Sequence, residues 1–263
     1  VHRPPGSARA RLAAATFVLL IPATTCASAD PGPDVVPVAA WDSVLARFVE
    51  GGRVAYGALA RDRGALDRFL AATESARPDG FSRESRLAFW VNAYNARVVD
   101  GVLRRPGLRS VLDPGKVLGV PTLGFFREPR LTAGRRLTLD DIEHRILRAE
   151  FGEPRVHFVL NCASAGCPEL PPRSLTAASL DSVLEAAAHA FLADRSKNRV
   201  GADGRLELSA IFKWFGEDFR AGAGGVEGFV ARYGLAPAPA AAGREPRFLP
   251  YDWSLNGSWG SGR

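Results

Sequence analysis

The sequence predicts an α+β fold: a single helix-rich domain with a small, mainly antiparallel sheet. Three observations point there. Apolar residues recur at helical spacing in several separate segments, and short extended pieces flank turn-forming residues as hairpin strands do. The stretch 41–256 has no internal repeat and no shift in composition that marks a second core. With 263 residues, 46% of them apolar and 24% charged, the chain can build a real core, which excludes disorder along its length.

Residues 1–29 read as a secretory signal. Arg3, Arg9 and Arg11 precede an apolar run over 12–21 that is too short to span a bilayer, and Ala27, Ser28 and Ala29 offer the small residues of a cleavage site. Competing readings are a retained anchor, an unprocessed tail and a lipid-modified Cys26, the last disfavoured by its approach through Ala23, Thr24 and Thr25. On cleavage three arginines and no acid leave, so the formal charge falls from +6 to +3, and Cys162 and Cys167 remain of three cysteines. That balance, without a basic stripe or an aromatic-interleaved groove, excludes nucleic acid as a partner. The expected location is secreted or periplasmic, with no stable membrane span after cleavage, and such a compartment permits a disulfide.

Residues 30–40 are proline-rich and read as a linker. Trp41, Val44, Leu45 and Phe48 set a first helix over 41–49, which Gly51 and Gly52 stop. A short extended piece over 54–56 precedes a second helix over 64–73, carried by Leu66, Phe69 and Leu70. The strongest helix covers 81–103, with Ser82 as N-cap and Pro106-Gly107 beyond its end. Leu87, Trp90, Val91, Tyr94, Val98 and Val102 form one face, and Phe89, Ala96 and Val99 extend the apolar surface around the other side. A helix apolar nearly all round is central, so Asn92 and Asn95 within it need partners and are expected to tie down neighbouring loops or a site wall.

Residues 117–123 read as an interrupted strand and 130–138 as a hairpin around Ala133 and Gly134. Thr138 and Asp141 have the spacing of a cap for a helix over 140–150, which buries Leu139, Ile142 and Ile146. The apolar run 156–160 reads as a buried strand, and 161–166 as a tight turn of small residues with exposed amides. Beyond it come a helix over 180–192, a hairpin through Val200 and 206–208, and an aromatic patch over 211–219. A last helix over 226–233, a compositionally flexible stretch over 236–243, an aromatic segment over 248–256 that docks on the body, and a tail over 257–263 complete the chain.

The stretches LAFWVNAYN (87–95), LDDIEH (139–144), PRVHFVLNCASAGCP (154–168), LSAIFKWF (208–215) with Asp218-Phe219, and YDWSLN (251–256) follow one another in order. Together they resemble the family labelled domain of unknown function 547 (DUF547), over almost the whole mature chain. The resemblance implies no reaction. It implies residues of interest, namely Asn92, Asn95, Glu143, His144, His157, Cys162 and Cys167, and it brings an association with papain-like or transglutaminase-like folds.

Cys162 is the candidate nucleophile, because amides at the turn that carries it lower a thiol pKa and hold an oxyanion. If 156–160 is a strand, His157 lies about 16 Å from Cys162 on the opposite face. His144, which points away from Ile142 and Ile146, is then the better base and subsequent acid, with Asn92, Asn95, Glu143 or Asp252 as the group that orients its ring. His189, one turn from Glu185, reads as solvated. Three rivals use the same atoms: a Cys162–Cys167 disulfide, a redox pair, and a zinc site of Cys162, Cys167, His144 and His157 with unusual spacing.

The expected function is a cysteine-dependent hydrolase or acyl or amide transferase acting on a peptide-like or cell-envelope substrate, with no cofactor and no metal. The alternative is a non-catalytic periplasmic or extracellular binding module that keeps the disulfide and uses Phe212, Trp214, Phe215, Tyr251 and Trp253 for recognition. The oligomeric state is open.

Overall fold

The computed structural model describes residues 36–260 apart from 114–115, 118–119, 122–123, 221–223 and 242. The expected signal segment and most of the expected linker lie outside the described residues. Everything else is arranged around α4 (Arg83–Leu103), which Ser82 caps by accepting from the Ser85 N–H at 3.2 Å. From Leu87 to Leu103 every residue except Gly101 is buried, as the all-round apolar pattern requires. Before it, α1 (Ala39–Phe48) and α3 (Gly64–Ser75) pack together, with Trp41 stacked on Phe69. Between those helices lie the hairpin β1 (Val49–Glu50) and β2 (Arg53–Val54) and the short α2 (Tyr56–Arg61). Gly51 and Gly52 make the two-residue hairpin turn with φ of 52° and 72°, a conformation that glycine adopts freely.

After α4 come the paired β3 (Lys116–Val117) and β4 (Val120–Pro121), where a longer interrupted strand was expected. Then follows the expected hairpin, β5 (Arg130–Thr132) and β6 (Arg135–Leu137). Its turn donates from the Ala133 and Gly134 amides to the Thr73 and Glu74 carbonyls, so the hairpin is fastened to the end of α3. Thr138 and Asp141 form the reciprocal cap: the Asp141 N–H donates to Thr138 Oγ1 at 2.9 Å, and the Thr138 N–H to Asp141 Oδ2 at 3.0 Å. The helix they open is not α-helical at first. Asp141–Arg148 winds as a π-helix before the single α turn α5 (Ala149–Phe151).

The apolar run after Pro154 is not a strand. Pro154–Phe158 is a 3₁₀ turn capped by Glu153, and its amides bond locally, with Val159 N–H and Leu160 N–H both donating to the Val156 carbonyl. A five-residue apolar run signals burial without signalling period, and Pro154, which fits the first turn of a helix, favours the helical option. The expected tight turn at 161–166 is present. α6 (Leu180–Ala193) packs on this 3₁₀ turn. Next come β7 (Arg199–Val200), β8 (Leu206–Leu208) and α7 (Ile211–Trp214), then a helix at Gly225–Arg232, and finally β9 (Arg247–Phe248), which pairs parallel with β8. The other strand pairings among the described residues are antiparallel, so the α+β class with a small, mainly antiparallel sheet component holds. Among the described residues no helix is long and apolar enough to cross a membrane.

Phe158 anchors a second apolar cluster, packed against Phe191, Phe212, Phe219 and Phe229. The aromatic C-terminal segment docks back on the body, with Ser254 bridged to Ser110 and Leu255 to Ser164, and residues 257–260 follow it, Trp259 Nε1 donating to the Leu108 carbonyl at 2.9 Å. A Cβ on Gly166 would sit 3.0 Å from both the Asp252 nitrogen and the Tyr251 ring, so this segment closes tightly over the loop that carries the cysteines.

Both amides of α4 bind backbone. Asn92 donates to the Leu175 carbonyl at 2.7 Å and accepts from the Leu175 N–H at 3.0 Å. Asn95 donates to the Val159 carbonyl at 2.8 Å and accepts from the Asn161 N–H at 2.9 Å. Asn95→Ala strands two buried backbone groups at about 1–3 kcal/mol each. The expected result is a loss of about 2–6 kcal/mol and a fall in Tm of at least about 4 °C, read by thermal circular dichroism. Arg220→Ala, which removes only an exposed pair with Glu217, should stay within about 0.5 kcal/mol of the parent.

Candidate active-site pocket

One pocket of about 180 Å³ collects Glu143, His144, His157, Cys162 and Cys167. Larger cavities of about 250 and 460 Å³ lie elsewhere; Phe69, Phe89 and Leu175 line the first, Phe158, Leu170 and Phe191 the second. The mainly apolar lining of the first carries no titratable group, and the second has only the mutually repelling or paired charges of Glu169, Asp194 and Lys197 at its edge. A third, of about 270 Å³, is lined by Arg83, Glu84, Glu153, Arg155 and Asp181, where Arg155 pairs with Glu153 and Asp181 and no cysteine or histidine is present. The smaller pocket is the one that brings cysteine sulfur and imidazole together.

Each element contributes to it. α4 supplies Tyr94, the π-helix supplies Glu143 and His144, and the 3₁₀ turn supplies His157. The loop after it supplies Cys162 and Cys167, α7 supplies Trp214 with Phe215 just beyond it, and the C-terminal segment adds Tyr251 and Trp253. Because 156–158 is a turn and not a strand, the separation and opposite-face argument against His157 does not apply. His157 and Cys162 share the pocket.

A polar chain runs along its wall. Tyr94 O–H donates to Glu143 Oε2 at 3.0 Å. Arg148 holds Asp218 with two hydrogen bonds, Nε to Oδ2 at 2.5 Å and Nη2 to Oδ1 at 2.9 Å, and donates from Nη1 to His144 Nδ1 at 3.1 Å. His157 Nε2 lies 2.7 Å from Asp218 Oδ2. Facing a carboxylate, that nitrogen carries the proton, which leaves Nδ1 of the neutral ring as the acceptor. The ring is buried and stacked on Phe215 with centroids 4.1 Å apart. His144 is in the opposite state: its Nδ1 accepts from Arg148, so the neutral ring has its proton on Nε2 and serves as a donor. Of the two, His157 has the arrangement of a general base and Asp218 that of its orienting carboxylate.

Asp218 is partly desolvated, which opposes ionisation, yet the hydrogen bonds and charges of His157 and Arg148 outweigh this and hold its carboxyl well below the usual carboxylate range. Burial, reinforced by Glu143, pushes the Tyr94 phenol up. Burial, with Glu143 and Asp252, does the same for Tyr251, so both phenols are donors at neutral pH.

Cys162 and Cys167 are joined as a disulfide, with Cα atoms 6.2 Å apart. Tyr251 Oη lies 3.2 Å from Cys162 Sγ and donates to Cys167 Sγ at 3.1 Å, while the Cys162 N–H donates to Cys167 Sγ at 2.9 Å. Ala163, next to the half-buried Cys162, has φ of 61°, strained for a residue with a side chain. Among the described residues no three of His, Cys, Asp and Glu converge as metal ligands.

Of the sequence-derived residues, Cys162, His144, Glu143 and His157 come together. Asn92 lines a different cavity, Asn95 is held by backbone, and Asp252 accepts from the Ser254 N–H on the exposed side of the C-terminal segment. His189 is exposed beside Glu185, as expected. The aromatic patch divides: Phe212 is core, whereas Trp214 is 45% exposed and packs with Tyr251 and Trp253 at 4.8 and 5.5 Å. Sequence reading missed Asp218, Arg148 and Tyr94, and it named Tyr251 only as an aromatic recognition residue, not as a partner of the sulfurs. The available signal for Asp218 was an acid set inside the dense aromatic run 211–219.

Residues 78–192 match the family model described as protein of unknown function, DUF547. The match contains Cys162, Cys167, Glu143 and both pocket histidines, while Trp214, Phe215, Asp218, Tyr251 and Trp253 lie beyond it. Neither the curated proteins nor the solved structures compared with the chain include a match.

A carboxyl whose folded pKa is depressed adds stability that is complete above its unfolded value, near pH 4, and is lost as pH falls toward the folded value. About a quarter of the Asp218 side chain reaches solvent, 23%, which screens the pair. Asp218→Asn is expected to lower stability at pH 7 by about 1–2 kcal/mol. The gap to the parent should close between about pH 4 and pH 2, as measured by thermal unfolding across that range.

Proposed function

We propose, for a chain whose residues 78–192 match the DUF547 family model, a cysteine-dependent hydrolase or acyl or amide transferase acting on a peptide-like substrate outside the cytoplasm. The observation that carries this reading is the sharing of one pocket by Cys162 and a buried His157 that Asp218 holds at 2.7 Å.

Chemistry starts from the reduced pair, which two equivalents of a thiol supply as they are oxidised to their own disulfide. His157 Nδ1 accepts the Cys162 thiol proton, and Sγ attacks the carbonyl carbon as the C=O π electrons move to oxygen. Collapse expels an amine or alcohol, which takes the proton back from His157, and leaves a thioester on Cys162. Water then loses a proton to His157 and displaces Cys162; in a transferase an acceptor amine or hydroxyl does so instead. Asp218 keeps the Nε2–H direction fixed and offsets the imidazolium charge, while Phe215 fixes the ring plane. Tyr251 O–H and the Nε2–H of His144 are the donors available to oxygen as charge builds. A papain-like or transglutaminase-like relationship belongs to this reading and draws on the Cys162–His157 pocket alone. Export, suggested by residues 1–29, fits a compartment in which the disulfide persists until a thiol reaches it.

A second reading is favoured by one specific observation, the disulfide beside the exposed ring of Trp214. On that reading the pocket binds an extended peptide or glycan against Trp214, Tyr251 and Trp253 and performs no reaction.

Assays with activated acyl esters and chromogenic peptide amides separate the two. Reduced protein is expected to turn over, Cys162→Ala to be inactive, and His157→Gln to lose about 10²–10⁴-fold in kcat. A thiol-directed electrophile should label Cys162 of the reduced protein below the usual thiol pKa. A reduced rate no higher than that of Cys162→Ala ends the hydrolytic reading. If oxidised protein then binds peptide or glycan, and Trp214→Ala weakens binding by about tenfold, the binding reading takes its place.

A further inference from the structure

The two sulfurs of the disulfide have unequal surroundings. Cys167 is 4% exposed and alone receives the Cys162 N–H, at 2.9 Å, while the Tyr251 hydroxyl is shared, 3.1 Å from Cys167 Sγ and 3.2 Å from Cys162 Sγ. Cys162 is half-buried, the more accessible of the two residues, and both line the pocket. Donors on one sulfur stabilise it as a departing thiolate, and access to the other decides which is attacked. Tyr251 remains a phenol at neutral pH because burial, then Glu143 and Asp252, push its ionisation up.

We propose that the Cys162–Cys167 bond is a thiol–disulfide exchange centre of fixed polarity, in which an incoming alkyl thiolate attacks Cys162 Sγ and Cys167 departs as the thiolate. In the first step the new sulfur–sulfur bond forms at Cys162 as the Cys162–Cys167 bond breaks, and the electron pair stays on Cys167 Sγ beneath the Tyr251 O–H and the Cys162 N–H. A second thiolate then attacks the outer sulfur of the mixed disulfide, releasing a small disulfide and the Cys162 thiolate. Two incoming thiols are oxidised and one protein disulfide is reduced. The lining sets the class of thiol: Trp214 and Trp253 offer apolar rings, Asp140 is already paired with Arg127, and the Glu143 carboxylate disfavours an anion. A peptide cysteine without acidic neighbours fits these walls better than an anionic thiol. The exchange does not depend on acyl chemistry, so it stands or falls apart from the hydrolase reading.

The test uses the intact oxidised protein with short peptides carrying one cysteine flanked by lysines or by aspartates. Reactions are quenched with iodoacetamide and mapped by mass. The expected product has peptide on Cys162 and the alkyl group on Cys167, with the lysine-flanked peptide reacting faster. Peptide on Cys167, an even split, no mixed disulfide, or faster reaction of the aspartate-flanked peptide overturns the proposal. Tyr251→Phe retains both cysteines and is expected to slow formation of the mixed disulfide about tenfold while keeping it on Cys162; an unchanged rate overturns the role of the phenol in the leaving step.

Discussion

Three asparagine side chains hold the cysteine loop in place, and the pocket is laid out from that hold. Asn95 on α4 accepts from the Asn161 N–H. The Asn161 side chain donates to the Pro168 carbonyl and accepts from both the Ala163 N–H and Asn256 Nδ2, while Asn256 also accepts from Tyr56. All three amides are buried, so each unmade bond would leave a desolvated polar group. This relay spans the central helix, the loop and the C-terminal segment, three parts of the chain far apart in sequence. It also offsets the left-handed backbone of Ala163, a conformation that costs about 1–2 kcal/mol for a residue with a Cβ. Cys162 is consequently fixed between two restrained residues, and its amide points at the sulfur of Cys167.

The opposite wall is fixed by charge. Arg148 at the end of the π-helix grips Asp218 in the turn after α7, and Asp218 grips His157. Phe215 sits against the His157 ring at 4.1 Å and beneath the Arg148 guanidinium at 4.9 Å, so a single ring sets the planes of both. Such a wall requires helix and turn to arrive at a defined distance, which the Thr138–Asp141 cap and the packing of the π-helix on α4 provide.

Legibility from sequence follows the length of each signal. Over twenty residues of apolar pattern made α4 plain, and the cap residues Ser82, Thr138 and Asp141 lie where their spacing puts them. The run 156–160 was too short to carry a period, so burial was mistaken for a strand, and the error set His157 on the face opposite Cys162 and handed the base role to His144. The π winding of 141–148 leaves no compositional trace. Asp218, Tyr94 and Tyr251 join the pocket through tertiary approach alone, across 61 residues of separation for Asp218 and His157. The cysteine pair, Glu143 and His144 were legible because reactive side chains are scarce in this sequence and these cluster in it.

Two neighbouring pairs show why the polar wall is more than packing. Residues 157 and 218 form a hydrogen-bonded imidazole and carboxylate, while the very next residues, Phe158 and Phe219, meet as rings 5.9 Å apart inside the second apolar cluster. The same turn and the same loop thus present one polar and one apolar side chain each, within reach of the same aromatic surroundings. Well-packed hydrocarbon fills such a place without desolvating a polar group, whereas a hydrogen-bonded polar pair returns only about 0.5–1.5 kcal/mol net and leaving one partner alone costs about 1–3 kcal/mol. His157 lines the pocket with Asp218 hydrogen-bonded behind it, and the phenylalanines lie in the core, so the chain meets its packing need with one pair and keeps the other beside the pocket that Cys162 lines. An imidazole with one nitrogen held by a carboxylate has its ring orientation fixed, and this one is fixed in the pocket that Cys162 also lines.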